Sequence, residues 1–365
     1  MEQVQVNVGP RPYDALIGSG LLRHAGEHIV AALERPARVF VITVTPVKRR
    51  WSAPLGKSLR AAKLKFDVIT MPDGERHKTL ASLEKLAAEL ARRGADRGAC
   101  VVALGGGVVG DVAGFLGSVY MRGVDVVQAP TTFLAQVDAS IGGKTGVNLR
   151  AGKNLVGTFH QPRLVIIDPA VLATLPEREY RAGLYEALKC GVIRNPAIFR
   201  FMEENREAIL GRERQALEWL IAACVRVKAE VVGADERENG LRRILNFGHT
   251  LGHALEADTG YRRFLHGEAV AWGMVAACRI AEEMRQISPQ QSQRVIDLIR
   301  AYAPLPRVTS SASGLLRRLA VDKKTSNGVP RFVLPVDIGE VEIVAGVPES
   351  TVRSAVEDVR RLSKT

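Results

Sequence analysis

Residues 246–257 read NFGHTLGHALEA and set His249 and His253 four apart. On a helix that spacing stacks both imidazoles on one face, as in many zinc-binding helices. The general-base glutamate of an H-E-x-x-H site is absent, because Thr250 follows His249. A third histidine, His266, stands directly before GEAVAWGMVAAC, at the start of another helical stretch. A fourth candidate ligand lies upstream in LYEALKCGVI (184–193), where Glu186 and Lys189 share a helix face at i, i+3. That stretch is otherwise almost wholly apolar, and a buried carboxylate is costly unless a metal or a cation partners it. Two histidines and a glutamate from another helix make a three-ligand centre with an open position, the arrangement of catalytic zinc. The spacing leaves open which two of the three histidines bind.

Other segments point to anion chemistry. LGGGVVGD (104–111) holds G-x-G-x-x-G as Gly105, Gly107 and Gly110 after an apolar strand and before a helix. Backbone N–H groups there suit a pyrophosphate. However, this strand is about the third in the chain, whereas the dinucleotide fingerprint normally follows the first. PTTFLAQVDASIGGKTGVN (130–148) carries Thr131, Thr132, Asp138 and Lys144, and AGKNLVGTFHQP (151–162) carries Lys153 and Asn154. Two glycine-flanked lysines in successive loops suit a phosphate. Lys228, Arg242 and Asn246 lead toward His249, and Lys323 and Lys324 follow in a turn. Cations converging on a metal imply an anionic substrate.

Such groups need a frame to hold them. The 365 residues exceed one usual core, so two domains are expected. VFVITV (39–44), FDVITM (66–71), ACVVALGG (99–106), VDVVQAP (124–130) and RLVIID (163–168) read as buried strands. They alternate with helical stretches at 79–94 and 111–120, which predicts a parallel sheet covered on both faces. After about Leu175 helices dominate, with a short strand at 331–335 and an amphipathic helix at the end. The expected organisation is an α/β domain over residues 1–176 and a mainly α-helical, metal- and substrate-binding domain over 177–365. The formal charge of +12 admits nucleic acid, an acidic membrane surface or a small polyanionic substrate. Aromatics are only 5% and do not alternate with the basic clusters, which argues against nucleic acid. No run of about 18 apolar residues is present, so no membrane span is expected. The first residues lack the pattern of a signal peptide, which predicts a cytoplasmic protein. The four scattered cysteines read as reduced thiols.

Taken together, DGERHK (73–78), GGGVVGDVAGF, YMRG, the two loops above, LYEALKCG, DERENGLRRILNFGHTLGHALE, HGEAVAWGM and DKK (322–324) resemble the 3-dehydroquinate synthases. These are sugar-phosphate cyclases of the shikimate pathway, which serves chorismate and aromatic amino acid biosynthesis. The resemblance implies a Rossmann-like, mainly parallel α/β domain followed by a helical one, working as a homodimer. It implies a lyase that converts 3-deoxy-D-arabino-heptulosonate 7-phosphate to 3-dehydroquinate and phosphate. NAD is recycled within the turnover, and one divalent metal, zinc or cobalt, is held by Glu186, His249 and His266. The implied catalytic residues are Lys144, Lys153, Lys189, His253 and Asp138. Around NAD it implies Asp73, Gly74, Glu75, Arg76, His77, Lys78, Gly107, Val108, Val109, Gly110, Asp111, Thr131, Thr132, Lys144, Lys153, Val171, Leu172, Ala173 and Thr174. Around the substrate it implies Asp138, Asn154, Lys228, Arg242, Asn246 and Lys324, with Arg122 lent across the dimer. Valiolone-type and inosose synthases, and metal-dependent polyol dehydrogenases of related fold, are the alternatives. The surplus cations argue against the carboxylate-free cyclase substrates.

The chain departs from the family pattern at one place. Where the family has T-D-x-N-V, this chain has Thr43-Val44-Thr45-Pro46-Val47, so the acid that contacts the cofactor's ribose is gone. The expected outcome is a higher NAD dissociation constant than that of a Val44→Asp, Pro46→Asn variant. Titration of both proteins with NAD checks this, and equal affinities would refute it.

Overall fold

The computed structural model describes residues 1–9, 11–33, 36–325 and 331–364, the side chains of 320–325 excepted. The strands are β1 Glu2–Val6, β2 Tyr13–Ile17, β3 Arg38–Val44, β4 Phe66–Met71, β5 Ala99–Gly105, β6 Asp125–Pro130, β7 Lys144–Leu149, β8 Gly152–Phe159 and β9 Leu164–Ile167, of which β3, β4, β5, β6 and β9 are the expected apolar runs. Among them run α1 Ala25–Leu33, α2 Thr45–Ala61, α3 Leu80–Arg92 and α4 Gly107–Val119. Helix α3 shows the local logic. Thr79 Oγ1 caps it by accepting from the Ser82 amide at 3.2 Å, and Gly94 follows its end with φ 73°. Leu83, Leu86 and Leu90 fall on one stripe and are buried, each contributing roughly 1.5–3 kcal/mol.

The sheet has the order β1-β2-β9-β6-β5-β3-β4, parallel except for the antiparallel β1–β2 pair. Val39 and Val41 of β3 pack with α1 and α2, while Phe40, Ile42 and Val44 pack with α3 and α4. Helices therefore cover both faces, which is why the strands are apolar on both sides. β7 and β8 form a separate antiparallel hairpin. This corrects one expectation: Lys144 and Lys153 lie on paired strands, not in free loops.

The remaining elements are α5 Glu177–Ile193, α6 Pro196–Glu204, α7 Arg206–Leu210, α8 Arg214–Ala234, α9 His249–Asp258, α10 His266–Glu283, α11 Pro289–Ala301, α12 Ala312–Thr325 and α13 Glu349–Leu362. The expected strand near 331 is β10 Arg331–Asp337, paired with β11 Glu340–Ala345, which the sequence reading missed. Contacts divide the chain into one unit of Met1–Pro176 with Arg212–Arg237 and another of Glu177–Gly211 with Glu238–Thr365. The expected assignment of all of 177–365 to one helical domain is thus corrected. Helix α8 packs on β1, β2 and the turn at Ala135–Ala139, so it and Lys228 belong to the sheet-bearing unit. Its composition shows a buried helix but not which surface buries it.

In the second unit α10 is buried almost all round and lies against α5 and α9. Two glycines permit this closeness. A Cβ on Gly267 would lie 1.8 Å from the Ala182 carbonyl oxygen of α5, and one on Gly273 would lie 1.8 Å from that of Gly248, ahead of α9. Gly248 itself has φ 79°, a turn that suits glycine. Gly273→Ala is expected to lower the unfolding free energy by about 1–3 kcal/mol through forced separation of α9 and α10. Urea unfolding measures it, and an unchanged midpoint would contradict the close approach.

Candidate active site

Glu186 and Lys189 sit on α5 as 0% and 1% exposed side chains, so the carboxylate is buried as the apolar stretch implies. Lys189 Nζ pairs with Glu186 Oε2. Glu186 Oε1 is buried and has no hydrogen bond. It lies 3.9 Å from His249 Nε2 and 3.5 Å from His266 Nε2. The two close helix crossings produce this: Gly267 brings α10 onto the turn of α5 that precedes Glu186, and Gly273 brings the start of α9 onto α10. Each ring is anchored from behind. His249 Nδ1 lies 3.1 Å from the Phe247 carbonyl, and His266 Nδ1 lies 3.2 Å from Glu256 Oε2.

Three ligand atoms of Glu186, His249 and His266 lie within 4.8 Å of one another. Bonds of about 2.0–2.1 Å in a tetrahedral centre space ligand atoms roughly 3.3–3.4 Å apart. The donor set and the orphaned carboxylate oxygen therefore fit a divalent cation. The electrostatics agree for His249. Burial, then the charge of Lys189 and the neighbouring histidines, holds it well below the usual histidine range, so the ring is neutral and able to ligate. At His266 burial works downward, but the hydrogen bond to Glu256 and the charges of Glu186 and Glu256 outweigh it and raise the ring. His253, one turn beyond His249, is exposed. Its ring lies 5.4 Å from that of His249 and 5.9 Å from that of His266.

The first unit holds the anion-binding candidates. β3 and β5 are neighbours, and α2 leaves β3 on one face while α4 leaves β5 on the other. The glycine-rich segment therefore lies at a topological switch point, the usual place for a ligand in such sheets. Its position after the third long strand is explained by strand order, which chain order conceals. The expected helix from 111 begins earlier, at Gly107, so Gly107, Val108, Val109, Gly110 and Asp111 form the first turns of α4. Amides at that end have no intrahelical acceptor and favour an anion. Gly110 has a packing role, since a Cβ there would lie 2.9 Å from Gln128 Oε1. Beside this turn the buried Lys78 Nζ reaches Asp111 Oδ2 and Asn154 Oδ1, each at 2.5 Å. Burial pushes the Asp111 carboxyl upward while Lys78 pulls it down, leaving it above the usual range.

Other expected residues fall into smaller groups. Asp138 Oδ1 pairs with Lys228 Nζ at 2.5 Å. Glu75 Oε1 accepts from Asn148, whose own Oδ1 accepts from the Asn154 amide. Thr131 is buried, and Thr132 Oγ1 accepts from the Ala135 amide. Thr174 Oγ1 accepts from Trp51, whereas Val171 and Leu172 are core side chains that leave mainly their backbone to offer. Gly74 has φ 98° in the turn where Arg76 contacts His77, and Asp73 is exposed. Arg242 is buried on the 3-10 helix Leu241–Asn246, at whose end Asn246 donates to Glu238. Arg122 is exposed with φ 68°. Val44, buried at the end of β3, offers no acid, and Pro46 sits in the first turn of α2. Lys324 belongs to the last turn of α12 rather than to a loop, and its side chain lies outside the described residues. Sequence reasoning missed Glu256 and Asn148. Glu256 stands three residues after His253 and seven after His249, a helical repeat that places it on their face.

The chain matches the family model of the 3-dehydroquinate synthase N-terminal region over residues 68–182 and that of its C-terminal region over 183–325. It is 55% identical over 363 residues to a 3-dehydroquinate synthase of Koribacter versatilis, covering 100% of this chain and 99% of that relative. Its fold is similar to a 2-epi-5-epi-valiolone synthase from Streptomyces hygroscopicus subsp. jinggangensis with NAD+ and Zn2+ bound. That match has a TM-score of 0.89 and 28% identity, covering 97% of this chain and 98% of the other. A 2-deoxy-scyllo-inosose synthase complexed with carbaglucose-6-phosphate, NAD+ and Co2+ matches with a TM-score of 0.87 and 25% identity, over 99% of each chain.

His249→Ala is expected to lose a bound divalent cation and His253→Ala to keep it. Elemental analysis of the purified variants after dialysis checks this, and equal metal content in the two would refute the division between them.

Proposed function

We propose that this chain, which belongs to the 3-dehydroquinate synthase family, converts 3-deoxy-D-arabino-heptulosonate 7-phosphate to 3-dehydroquinate and phosphate. It acts as a lyase in the shikimate pathway. The observation that carries the reading is Glu186 Oε1, a buried carboxylate oxygen without a hydrogen bond that faces Nε2 of two histidines. Glu186, His249 and His266 hold a divalent cation, zinc or cobalt. The switch-point turn Gly107–Asp111, with Asp73–Lys78, Thr131, Thr132 and residues 171–174, holds NAD. When bound, the cation polarises a substrate hydroxyl and NAD takes up and returns a hydride.

The chain's own residues supply binding and proton handling. Lys189 neutralises one oxygen of Glu186 and leaves the other to the cation. His253, exposed one turn beyond His249, hydrogen-bonds a substrate hydroxyl and relays its proton. In the first unit Asp138, Lys144, Lys153, Asn154 and Lys228 are assigned to substrate binding, and in the second unit Arg242, Asn246 and Lys324 are. Cations in this number suit a substrate bearing both carboxylate and phosphate, because Lys and Arg make charge-assisted hydrogen bonds to both groups. The protein is a cytoplasmic homodimer in this reading. Val119, Met121 and Phe159 are exposed apolar side chains at the end of α4, on the turn Tyr120–Arg122 that follows it and on β8, and a Ser118–Thr158 hydrogen bond joins α4 to β8. They suit a surface covered by a second copy, with Arg122 serving the neighbour's phosphate.

The test is phosphate release from the heptulosonate phosphate with NAD and metal present, with and without chelator. The expected result is stoichiometric phosphate, no net NADH, and loss of turnover with chelator. Absence of phosphate release under full loading would overturn the reading, and accumulation of NADH would favour a polyol dehydrogenase.

A further inference from the structure

We propose that Glu256 is a positioning residue whose carboxylate holds the Nδ1 proton of His266 and so turns that ring's Nε2 lone pair onto the cation position beside Glu186. The inference rests on the reading of Glu186, His249 and His266 as ligands and extends it to a residue outside that set.

The two histidines are fixed in different ways. His249 is nearly buried, and its Nδ1 faces the main-chain carbonyl of Phe247 at 3.1 Å. Burial and a main-chain acceptor at Nδ1 set its ring. His266 opens α10 and its side chain is 34% exposed, so packing alone does not choose between its rotamers or its tautomers. Its Nδ1 instead meets Glu256 Oε2 at 3.2 Å, and its Nε2 lies 3.5 Å from Glu186 Oε1. Glu256 is 3% exposed and stands two helical turns beyond His249 on α9. One helix thus supplies a ligand directly and orients a second ligand on the neighbouring helix. A charged acceptor at Nδ1 fixes the Nδ1–H tautomer and makes Nε2 a stronger donor to a cation.

A competing assignment also uses Glu256 and His266. His253, Glu256 and His266 also offer ligand atoms within 4.8 Å of one another. A second cation there would take the place of the proton on His266 Nδ1, so the number of cations per chain separates the two readings.

The test compares full-length wild type, Glu256→Gln and His253→Ala, each stripped and titrated with Zn2+ against a chromophoric chelator. Glutamine keeps the size of the side chain and an acceptor oxygen but lacks the charge. The expected result is one cation per wild-type chain, affinity about 10–100-fold weaker in Glu256→Gln, and affinity unchanged in His253→Ala. The melting curve of the metal-free protein should move little, which a merely structural role would not predict. Nitrogen NMR of histidine-labelled wild type should show His266 protonated at Nδ1. Unchanged affinity in Glu256→Gln would overturn the inference alone, as would two cations per wild-type chain with one lost in both variants. If Glu256→Gln does not fold, the wild-type spectrum decides, and a proton on Nε2 overturns the inference. A wild type that binds no cation would overturn the ligand reading and this inference with it.

Discussion

A carboxylate oxygen buried among helices without a hydrogen bond is the constraint from which the second unit is best understood. Such a group costs on the order of several kcal/mol unless a positive charge answers it. Lys189 answers one oxygen of Glu186, and the other is aimed between two imidazole nitrogens. The two rings are each tied at Nδ1, so their free nitrogens point inward. Lys189 at the same time helps to keep His249 neutral. At His249 charge and geometry thus agree on a cation position.

That agreement requires backbones closer than ordinary helix packing allows. Helices usually cross at 8–10 Å between axes because side chains separate them. Here Gly267 and Gly273 remove the side chains at the two crossings, and α10 meets α5 and the start of α9 backbone to backbone. The short glutamate arm then reaches both histidines. The glycines contribute no chemistry of their own, yet they decide whether Glu186, His249 and His266 meet.

In the first unit glycine has a double part. At Gly110 it admits Gln128 of the sheet, and at the start of α4 it leaves the amides of the switch point uncovered. Helix–sheet packing and anion binding therefore draw on one glycine-rich stretch. The polar set of Lys78, Asp111, Asn148 and Asn154 ties the turn after β4 and the β7–β8 hairpin to α4. The hairpin lysines consequently stand on a paired, hydrogen-bonded frame.

By itself the sequence determined the alternation of strands and helices, the parallel sheet and a set of candidate ligands, Glu186 with His249, His253 and His266. Those depend on apolar periodicity and on residue types that are rare in apolar surroundings, such as Glu186 in LYEALKCGVI, and both are local properties. It also left clear marks of the family in the order of its motifs. Tertiary structure decided what depends on distant partners. It attached α8 and Lys228 to the sheet-bearing unit, because an all-apolar helix face does not name the surface that buries it. It put β5 beside β3 and so turned an out-of-place glycine pattern into a switch-point turn. It also selected Glu256, whose helical spacing was visible in NFGHTLGHALEA but whose meaning was not. A hydrogen bond to His266 exists only because another helix, held close by glycine, brings that ring to meet it.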